Sequence, residues 1–223
     1  MSKSLIIIKK SSFLFNGKEY SLNDLDEINS LLKSNLKIIL LEEELYSKHF
    51  YEKIKKTKLK GFVDIKINKE FPDSRDILYD YEQSKIYNTI AIYSSKGGRR
   101  IEKISKNAKS LEVKPMQYII QECLEKSIKN KVLDSKIIVK FNDYYYYVSF
   151  KNGLFYQGFV EKEMKIIIDR ILDSDYQGQM YVDDNVDDEI SLKENFQVIK
   201  INIGELLNDR VYEKQKLYSK AIL

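Results

Sequence analysis

Short, largely apolar runs alternate along this chain with segments whose apolar residues recur at helical spacing. The clearest runs are Leu5–Ile8, Leu36–Leu41 and Ile137–Phe141. Runs of this length are typical of buried strands, which need helices or a second sheet to cover both faces. The alternation therefore predicts an α/β fold with mixed sheets flanked by helices.

Local signals predict further elements. Ser21 is a good helix N-cap, and Asp24 follows three residues later. Helical spacing over Glu42–Lys55 predicts a helix, and the alternation of Gly61–Ile67 predicts a half-buried strand. The polar, acidic segment Asp173–Glu194 is typical of a loop.

The chain has 223 residues, enough for one large domain or two small ones. A division near Asn130–Asp134 falls between a predicted helix and the next strand. We predict a first α/β lobe over residues 1–130. A second α/β lobe over residues 131–223 contains the acidic loop and a C-terminal strand and helix.

Composition excludes several classes of protein. The only cysteine, Cys123, rules out an intramolecular disulfide and fits a reducing compartment. The formal net charge of +4 is small for a dedicated nucleic-acid binder. No segment approaches the ~20 apolar residues that span a membrane. We expect a soluble, cytoplasmic chain, and a membrane anchor after Leu223 in a longer protein stays open.

Residues that could carry catalysis or hold a metal are sparse. The only histidine is His49, which together with Cys123 is too little for a zinc site of the usual ligands. The glycines of Ser94–Arg100 match neither a phosphate-binding loop nor a dinucleotide loop. The acidic run Asp183–Glu189 lacks the glycine and spacing of a calcium loop. We therefore expect no catalytic, cofactor or metal site.

Two surface features leave alternatives open. The run Tyr144–Tyr147 lies in a predicted strand, so its rings alternate between two faces. These rings are either core residues or an aromatic surface for a partner, with Tyr145 and Tyr147 as candidates. The lysine-rich stretch Lys48–Lys60 is a solvated face by default, and contact with anionic lipid head groups is the alternative.

Three stretches of the chain form a pattern that resembles a known family. They are Phe71-Pro72 followed by Asp76–Tyr81, Ile90–Tyr93 followed by Leu111–Pro115, and Ile137–Phe141 with the hairpin through Asn152-Gly153. Together they resemble the actin-like cytoplasmic proteins of bacterial type IV pilus and type II secretion assembly platforms (PilM/GspL/BfpC-like). The resemblance covers roughly residues 36–171. It implies a two-lobed actin-like (ribonuclease H-like) fold, reduced relative to full actin-like proteins.

The resemblance also bears on nucleotide binding. Nucleotide-binding actin-like proteins carry an acidic residue and small glycine-rich turns at the phosphates. The corresponding hairpins, Lys9–Lys18 and Phe141–Phe155, have no such turn. The comparison with secretion-type members that lack nucleotide therefore implies a non-catalytic protein without a cofactor. The alternative is a nucleotide-binding actin-like ATPase of the same machinery, with Asp64, Asp80 and Asp143 as its candidate acidic residues.

The resemblance further suggests partners. The segment Ile201–Leu207 loosely resembles the apolar peptide by which a membrane-anchored pilus partner docks on the actin-like protein. It makes Ile201, Asn202, Ile203, Leu206 and Leu207 candidate partner-binding residues, and we expect Phe196–Leu207 to dock on its own domain. The implied role is a scaffold that links a hexameric secretion ATPase to inner-membrane platform proteins. It would lie at the inner face of the inner membrane, with a homodimer possible and no nucleic acid bound. A nucleic-acid-associated protein is a second alternative.

Overall fold

The computed structural model describes residues 3–71, 75–129, 133–172, 179–186 and 196–213. The strands are β1 (Ser4–Ile8), β2 (Ser12–Phe15), β3 (Lys18–Ser21), β4 (Asn35–Leu40), β5 (Leu45–Tyr51), β6 (Ile77–Ser84), β7 (Thr89–Lys96), β8 (Ser110–Pro115), β9 (Ser135–Phe141), β10 (Tyr144–Lys151), β11 (Leu154–Glu161), β12 (Gln179–Asp183) and β13 (Gln197–Ile201). The helices are α1 (Leu25–Asn29), α2 (Lys56–Glu70), α3 (Gly98–Ser105), α4 (Met116–Ile128), α5 (Met164–Leu172) and α6 (Gly204–Asn208). A 3-10 turn (Leu22–Asp24) precedes α1, and a π-helical turn (Asp209–Glu213) follows α6.

The described strands form three mixed or antiparallel sheets. Sheet A has the order β3-β2-β1-β4-β8, and its strands β1, β4 and β8 run parallel. Sheet B has the order β5-β7-β6 and is antiparallel. Sheet C has the order β11-β10-β9-β12-β13, in which β9, β12 and β13 run parallel. The predicted α/β class with mixed sheets and flanking helices is confirmed.

Apolar residues on both faces of the central strands build the core. On β1, Ile6 and Ile7 are fully buried but point into different clusters. The cluster around Ile6 contains residues of α1 and α3. The cluster around Ile7 contains Ile120 of α4 and Val139 of β9. Helix α4 therefore contributes to one continuous apolar core that joins sheet A to sheet C.

Several local predictions are confirmed at residue level. The Ser21 side chain accepts a hydrogen bond from the Asn23 N–H, and Asp24 accepts one from the Ser21 N–H. This reciprocal arrangement satisfies N–H groups that a helix start leaves unpaired. Pro115 directly precedes α4, where its missing N–H costs nothing. The apolar residues at helical spacing in α5 are buried: Met164, Ile167, Ile168 and Ile171.

Two predicted elements have the opposite secondary structure. The segment Glu42–Lys55, predicted to be a helix, contains strand β5, which pairs with β7 along its whole length. The segment Gly61–Ile67, predicted to be a strand, lies inside helix α2. Of the residues in α2, Leu59 and Val63 are buried, and their spacing of four places both on one helical face. Within Gly61–Ile67, Phe62 and Ile67 pack against the cluster that contains Val63, while Ile65 is exposed, so the helix covers this apolar side without strand alternation.

The prediction of a loop over Asp173–Glu194 is also wrong in part, because strand β12 lies within that segment. Strand β12 is an interior strand of sheet C, and its Met180 and Val182 are fully buried. Residues 173–178 and 187–195 lie outside the described residues, as do 72–74, 130–132 and 214–223. The end of the predicted C-terminal helix and the proposed lobe division fall mainly on those ranges. Among the described residues, no helix is long and apolar enough to cross a membrane.

Gly61 offers a direct test of α2. Nothing lies within 4 Å of a Cβ built at this helical position, so Gly61→Ala removes backbone freedom of the unfolded chain without a clash. We expect the variant to gain about 0.5–1 kcal/mol of unfolding free energy, or roughly 2–4 °C in melting temperature. A thermal melt measures both.

Gly98→Ala is the matched control for Gly61→Ala. A Cβ at Gly98 would lie 2.7 Å from the backbone oxygen of Arg75, so this change should destabilise the protein by about 1–3 kcal/mol. Stabilisation at Gly98, or a loss of stability at Gly61, would contradict the described helix and its packing.

Candidate functional site

Three consecutive glutamates connect β4 to β5 where sheets A and C meet. Glu42 has a positive φ of 64°, which turns the chain sharply after β4. Its N–H donates to the Tyr146 hydroxyl of β10 at 3.1 Å. Its carboxylate accepts from the Lys10 N–H in the β1–β2 hairpin at 3.2 Å. Glu42 thus links the first hairpin of sheet A to a central strand of sheet C.

Glu43 holds the most enclosed ion pair of this junction. Its carboxylate lies 2.5 Å from Nη2 of Arg100 on α3, and both side chains are largely buried. The other guanidinium nitrogen of Arg100 donates to the Lys9 carbonyl oxygen at 2.5 Å. The backbone oxygen of Glu43 accepts from the Gln117 side chain of α4 at 2.7 Å. One residue therefore ties together the β1–β2 hairpin, α3 and α4.

Glu44 extends the junction to the outer side of sheet C. Arg170 of α5 lies 2.6 Å from the Glu44 carboxylate and 2.9 Å from that of Glu161. Burial alone would raise the pKa of Glu44, but hydrogen bonds from Arg170 and Tyr46 hold it below its usual range. The same bond to Glu44 raises the pKa of Tyr46 to about 12. These charges keep Glu44 ionised and paired at neutral pH.

The ends of the β1–β2 and β9–β10 hairpins approach each other through side chains. The Lys10 ammonium lies 6.0 Å from the centre of the Tyr144 ring, and the Lys162 ammonium lies 5.4 Å from it. Asn142, at the tip of the second hairpin, exchanges hydrogen bonds with Tyr212. Side chains of both hairpin ends therefore lie close to one another, with Lys10 and Lys162 exposed and Tyr144 half-buried.

The two tyrosines predicted to bind a partner lie in the body of sheet C. Tyr147 is 2% exposed and its ring stacks on Phe159 at 5.4 Å. Tyr145 is half-buried, with the Lys140 ammonium 5.4 Å from its ring centre. Of the two alternatives, core residue or partner surface, Tyr147 is a core residue. Its ring is not presented to a partner in this conformation. A partner contact through Tyr145 stays a prediction.

The C-terminal candidates pack mainly against their own chain. Ile203 and Leu207 are fully buried in the core that joins sheets A and C. The Ile203 N–H donates to the buried Asp183 carboxylate at 3.0 Å. Ile201 and Leu206 are half-buried, and only Asn202 is exposed. This packing agrees with the expected self-docking of the segment, while its role toward a partner stays a prediction.

The two residues considered for catalysis occupy structural positions. His49 lies on β5, not on a helix, and its Nε2 is 2.9 Å from the Phe155 carbonyl oxygen of β11. Burial lowers the pKa of His49, which favours its neutral form, and raises the pKa of Cys123 to about 11, which disfavours the thiolate. In the described ranges, no three His, Cys, Asp or Glu side chains gather into a metal-binding group.

A groove beside the free edge of sheet A was not predicted. Strand β8 is the last strand of sheet A, so its outer edge pairs with no strand of the described residues. The cavity next to it has a volume of about 200 Å³. It is lined by residues of β5, β6, β7, β8 and α4, namely Leu45, Leu78, Tyr79, Asp80, Tyr93, Ser95, Val113, Pro115 and Tyr118. An apolar cavity beside an unpaired strand edge can accept an extended peptide.

Polar groups of this groove are placed to meet a ligand. The buried hydroxyl of Tyr118 has no hydrogen-bond partner among the described residues. The Tyr93 hydroxyl donates to the Glu82 carboxylate at 2.8 Å. Burial raises the pKa of Glu82, although the Tyr93 bond opposes this. With Asp80 in its lining, the groove combines apolar walls, an orphan hydroxyl and acidic charge. No sequence pattern indicated that these residues lie together, because they come from five separate elements.

Replacing Glu43 tests the junction. Glu43→Ala leaves the Arg100 guanidinium largely enclosed without its carboxylate, so we expect a loss of about 2–3 kcal/mol of unfolding free energy. Glu112→Ala is the matched control, because the Lys3–Glu112 pair is exposed on both sides and should cost less than ~1 kcal/mol. Urea unfolding measures both variants, and equal losses would show that Glu43 does not hold the junction together.

Known proteins resemble this chain in fold and not in sequence. No protein-family model and no curated protein matches the sequence. A Bacteroides thetaiotaomicron protein with an actin-like ATPase fold and unknown function shares 13% identity and a TM-score of 0.53, covering 92% of this chain and 95% of that one. The PilM-PilN type IV pilus biogenesis complex shares 8% identity and a TM-score of 0.53, covering 97% of this chain and 96% of that one. EpsL is an inner membrane component of the Vibrio cholerae type II secretion system. Its cytoplasmic domain shares 9% identity and a TM-score of 0.48, covering 97% of this chain and 95% of that one. The chain has the actin-like fold that its sequence predicts.

Proposed function

We propose that this chain is a non-catalytic scaffold of a bacterial type IV pilus or type II secretion assembly platform. It links a cytoplasmic secretion ATPase to proteins of the inner membrane and works at the inner face of that membrane. The fold that it shares with the structure of the PilM-PilN complex supports this setting. The observation that carries the non-catalytic part is the contact of Glu42 with the end of the first hairpin, where its carboxylate accepts from the Lys10 N–H.

In nucleotide-binding actin-like proteins, glycine-rich turns of two hairpins meet the phosphates. In this chain, the Lys10 ammonium lies 6.0 Å from the centre of the Tyr144 ring, and the Glu42 carboxylate accepts a hydrogen bond from the Lys10 N–H. A phosphate group at this hairpin end would meet a carboxylate that already uses the backbone donor, and like charges repel. These contacts favour a scaffold over the ATPase alternative.

The acidic residues considered for the ATPase alternative belong to separate elements. Asp64 is exposed on α2, and Asp80 lies on β6 beside the groove. Asp143 is exposed in the turn between β9 and β10. A catalytic magnesium site needs oxygen ligands that converge on one position. Their distribution over a helix, a strand of sheet B and a turn of sheet C gives the ATPase alternative no support.

The groove beside β8 is the part of the molecule best suited to a protein partner. An extended peptide can add to the free edge of β8 through its backbone, while an apolar side chain fills the cavity. Asp80 and Glu82 make a basic residue on that peptide favourable. We infer that the occupant is an extended apolar segment with one Lys or Arg, supplied by an inner-membrane platform protein.

A melting experiment tests the absence of nucleotide binding. We expect the same melting temperature with and without ATP and magnesium, because the Glu42 carboxylate already accepts from the Lys10 N–H at the hairpin end. A ligand present at 100 times its dissociation constant stabilises by ~2.7 kcal/mol, which would raise the melting temperature by several degrees. Such a rise would overturn the non-catalytic proposal and favour the ATPase alternative.

Peptide binding tests the groove. The probes are synthetic peptides from the cytoplasmic segments of platform membrane proteins of the same genome, titrated by fluorescence anisotropy. Val113→Asp puts a charge into the groove and should weaken binding at least tenfold. Leu111→Asp is the control, because Leu111 lies on the same face of β8, is 43% exposed and does not line the groove.

Asp80→Asn separates the charge contribution from the apolar one. It should weaken the binding of a peptide that carries Lys or Arg by about threefold to tenfold. The affinity for the Lys→Gln version of the same peptide should not change. Peptides that bind equally to wild type, Val113→Asp and Leu111→Asp would place the partner on another surface.

A further inference from the structure

One end of sheet B exposes apolar side chains at the apex of a hairpin. Ile86 lies in the β6–β7 turn and is 86% exposed, and its neighbour Tyr87 is 41% exposed. Tyr51, at the end of β5, is 61% exposed and pairs with Thr89, the first residue of β7. These three side chains therefore share one end of the sheet. An apolar side chain so exposed at a projecting turn buries almost no surface in the folded chain and so adds no stability to the fold.

A group of lysines surrounds the same end. Gln83 of β6 donates to the Ile54 carbonyl oxygen at 3.0 Å, which ties the segment before α2 to the hairpin. Helix α2 then packs on sheet B through Leu59, which shares a cluster with Ile90 of β7. The N-terminal turn of α2 and the hairpin are thus neighbours. We call the exposed side chains of this end the tip surface: Tyr51, Lys53, Lys55, Lys56, Lys58, Lys60, Lys85, Ile86 and Tyr87.

The lysines of the tip surface differ from Lys48 of β5 and Lys66 of α2. Lys48 pairs with Glu70 at 3.3 Å, and Lys66 pairs with Glu52 at 3.7 Å. No carboxylate of the described residues lies within ion-pair distance of a tip-surface lysine. Exposed lysines of one sign create a positive potential at this end, which favours the approach of an anionic surface.

The start of α2 adds to the positive potential. Lys55 occupies the N-cap position without a side-chain cap, and the first turn has no acidic residue. The N-terminus of a helix already carries partial positive charge, so lysines there reduce its stability. A sequence selected only for a stable helix would place Ser, Asp or Glu at these positions. The arrangement therefore favours a role in attracting anions over a role in the fold.

We propose that the tip surface docks on an anionic phospholipid membrane. Ile86 enters the boundary between head groups and acyl chains, and the rings of Tyr51 and Tyr87 lie at the head-group level, where tyrosine is favoured. The lysines lie around them and contact the lipid phosphates. This docking is independent of the scaffold function and of the peptide groove.

The chemistry of the apex favours lipid over nucleic acid. Proteins that bind single strands without sequence preference use flat aromatic rings on which bases stack. The most exposed apolar side chain here is a branched aliphatic one, Ile86, which gains free energy only by leaving water. A lysine ring around an aliphatic apex matches an interfacial membrane anchor.

Vesicle flotation of the full chain tests the proposal. We expect binding to vesicles of phosphatidylcholine mixed with phosphatidylglycerol and little binding to phosphatidylcholine alone. Raising the ionic strength from ~0.1 M to ~1 M shortens the screening length from ~10 Å to ~3 Å and should release most of the protein. Equal binding to both kinds of vesicle, or no binding to either, would overturn the proposal.

Two pairs of variants test which residues are responsible. Lys55→Gln/Lys56→Gln/Lys58→Gln should lower the partition coefficient roughly a hundredfold, at about fivefold for each lysine near the surface. The control Lys103→Gln/Lys106→Gln/Lys109→Gln removes three exposed lysines at the end of α3 and should leave binding unchanged. Ile86→Ser should lower binding about tenfold, whereas Leu31→Ser, at a residue 64% exposed just after α1, should not.

The same variants distinguish a nucleic-acid surface. A duplex or single-stranded oligonucleotide that binds through the three lysines, with no effect of Ile86→Ser on vesicle or oligonucleotide binding, would overturn the lipid proposal. Losses as large in the control variants as in the tip-surface variants would overturn it as well. Circular dichroism confirms that each variant keeps α2 folded, so a loss of binding is not a loss of fold.

Discussion

The buried ion pair between Glu43 and Arg100 is the constraint on which the arrangement of the sheets depends. Two charges removed from water are tolerated only when each is fully paired and hydrogen-bonded. Arg100 meets this need with the Glu43 carboxylate and the Lys9 carbonyl, and Gln117 satisfies the backbone of Glu43. Because these partners come from a hairpin and two helices, any opening at this point leaves a charge without a partner. The pair therefore favours one relative position of the elements around the junction.

In the proposed scaffold role, elements held in one relative position present surfaces through which binding free energy can pass to partners. The edge of β8 that pairs with no described strand is one such surface, and the tip surface is another. Both belong to or border sheet B.

Much of the fold could be predicted because burial on both faces leaves a strong sequence signal. The run Leu5–Ile8 is fully buried, and no helix or turn fits such a short apolar segment so well. The signal failed for Glu42–Lys55 and Gly61–Ile67. One face of each segment is solvated, and the few buried residues fit helical spacing as well as strand alternation. The groove could not be predicted at all, since it forms only when edge strand β8 meets sheet B. Tyr147 shows the same limit, because four tyrosines in a row do not reveal which sheet face is covered.

The positions of the groove and the tip surface on sheet B give the two proposals a common geometry. Asp80 at the groove and Ser84 at the hairpin lie on the same strand, β6, four residues apart. At ~3.4 Å per residue, they are separated by about 14 Å. A peptide that leaves a membrane on which the tip surface rests would need only a few extended residues to reach β8. Membrane contact would then hold the chain near its partner, and the effective concentration of a tethered peptide is high when the linker matches the span. A weak lipid contact and a weak peptide contact can therefore give stable attachment together.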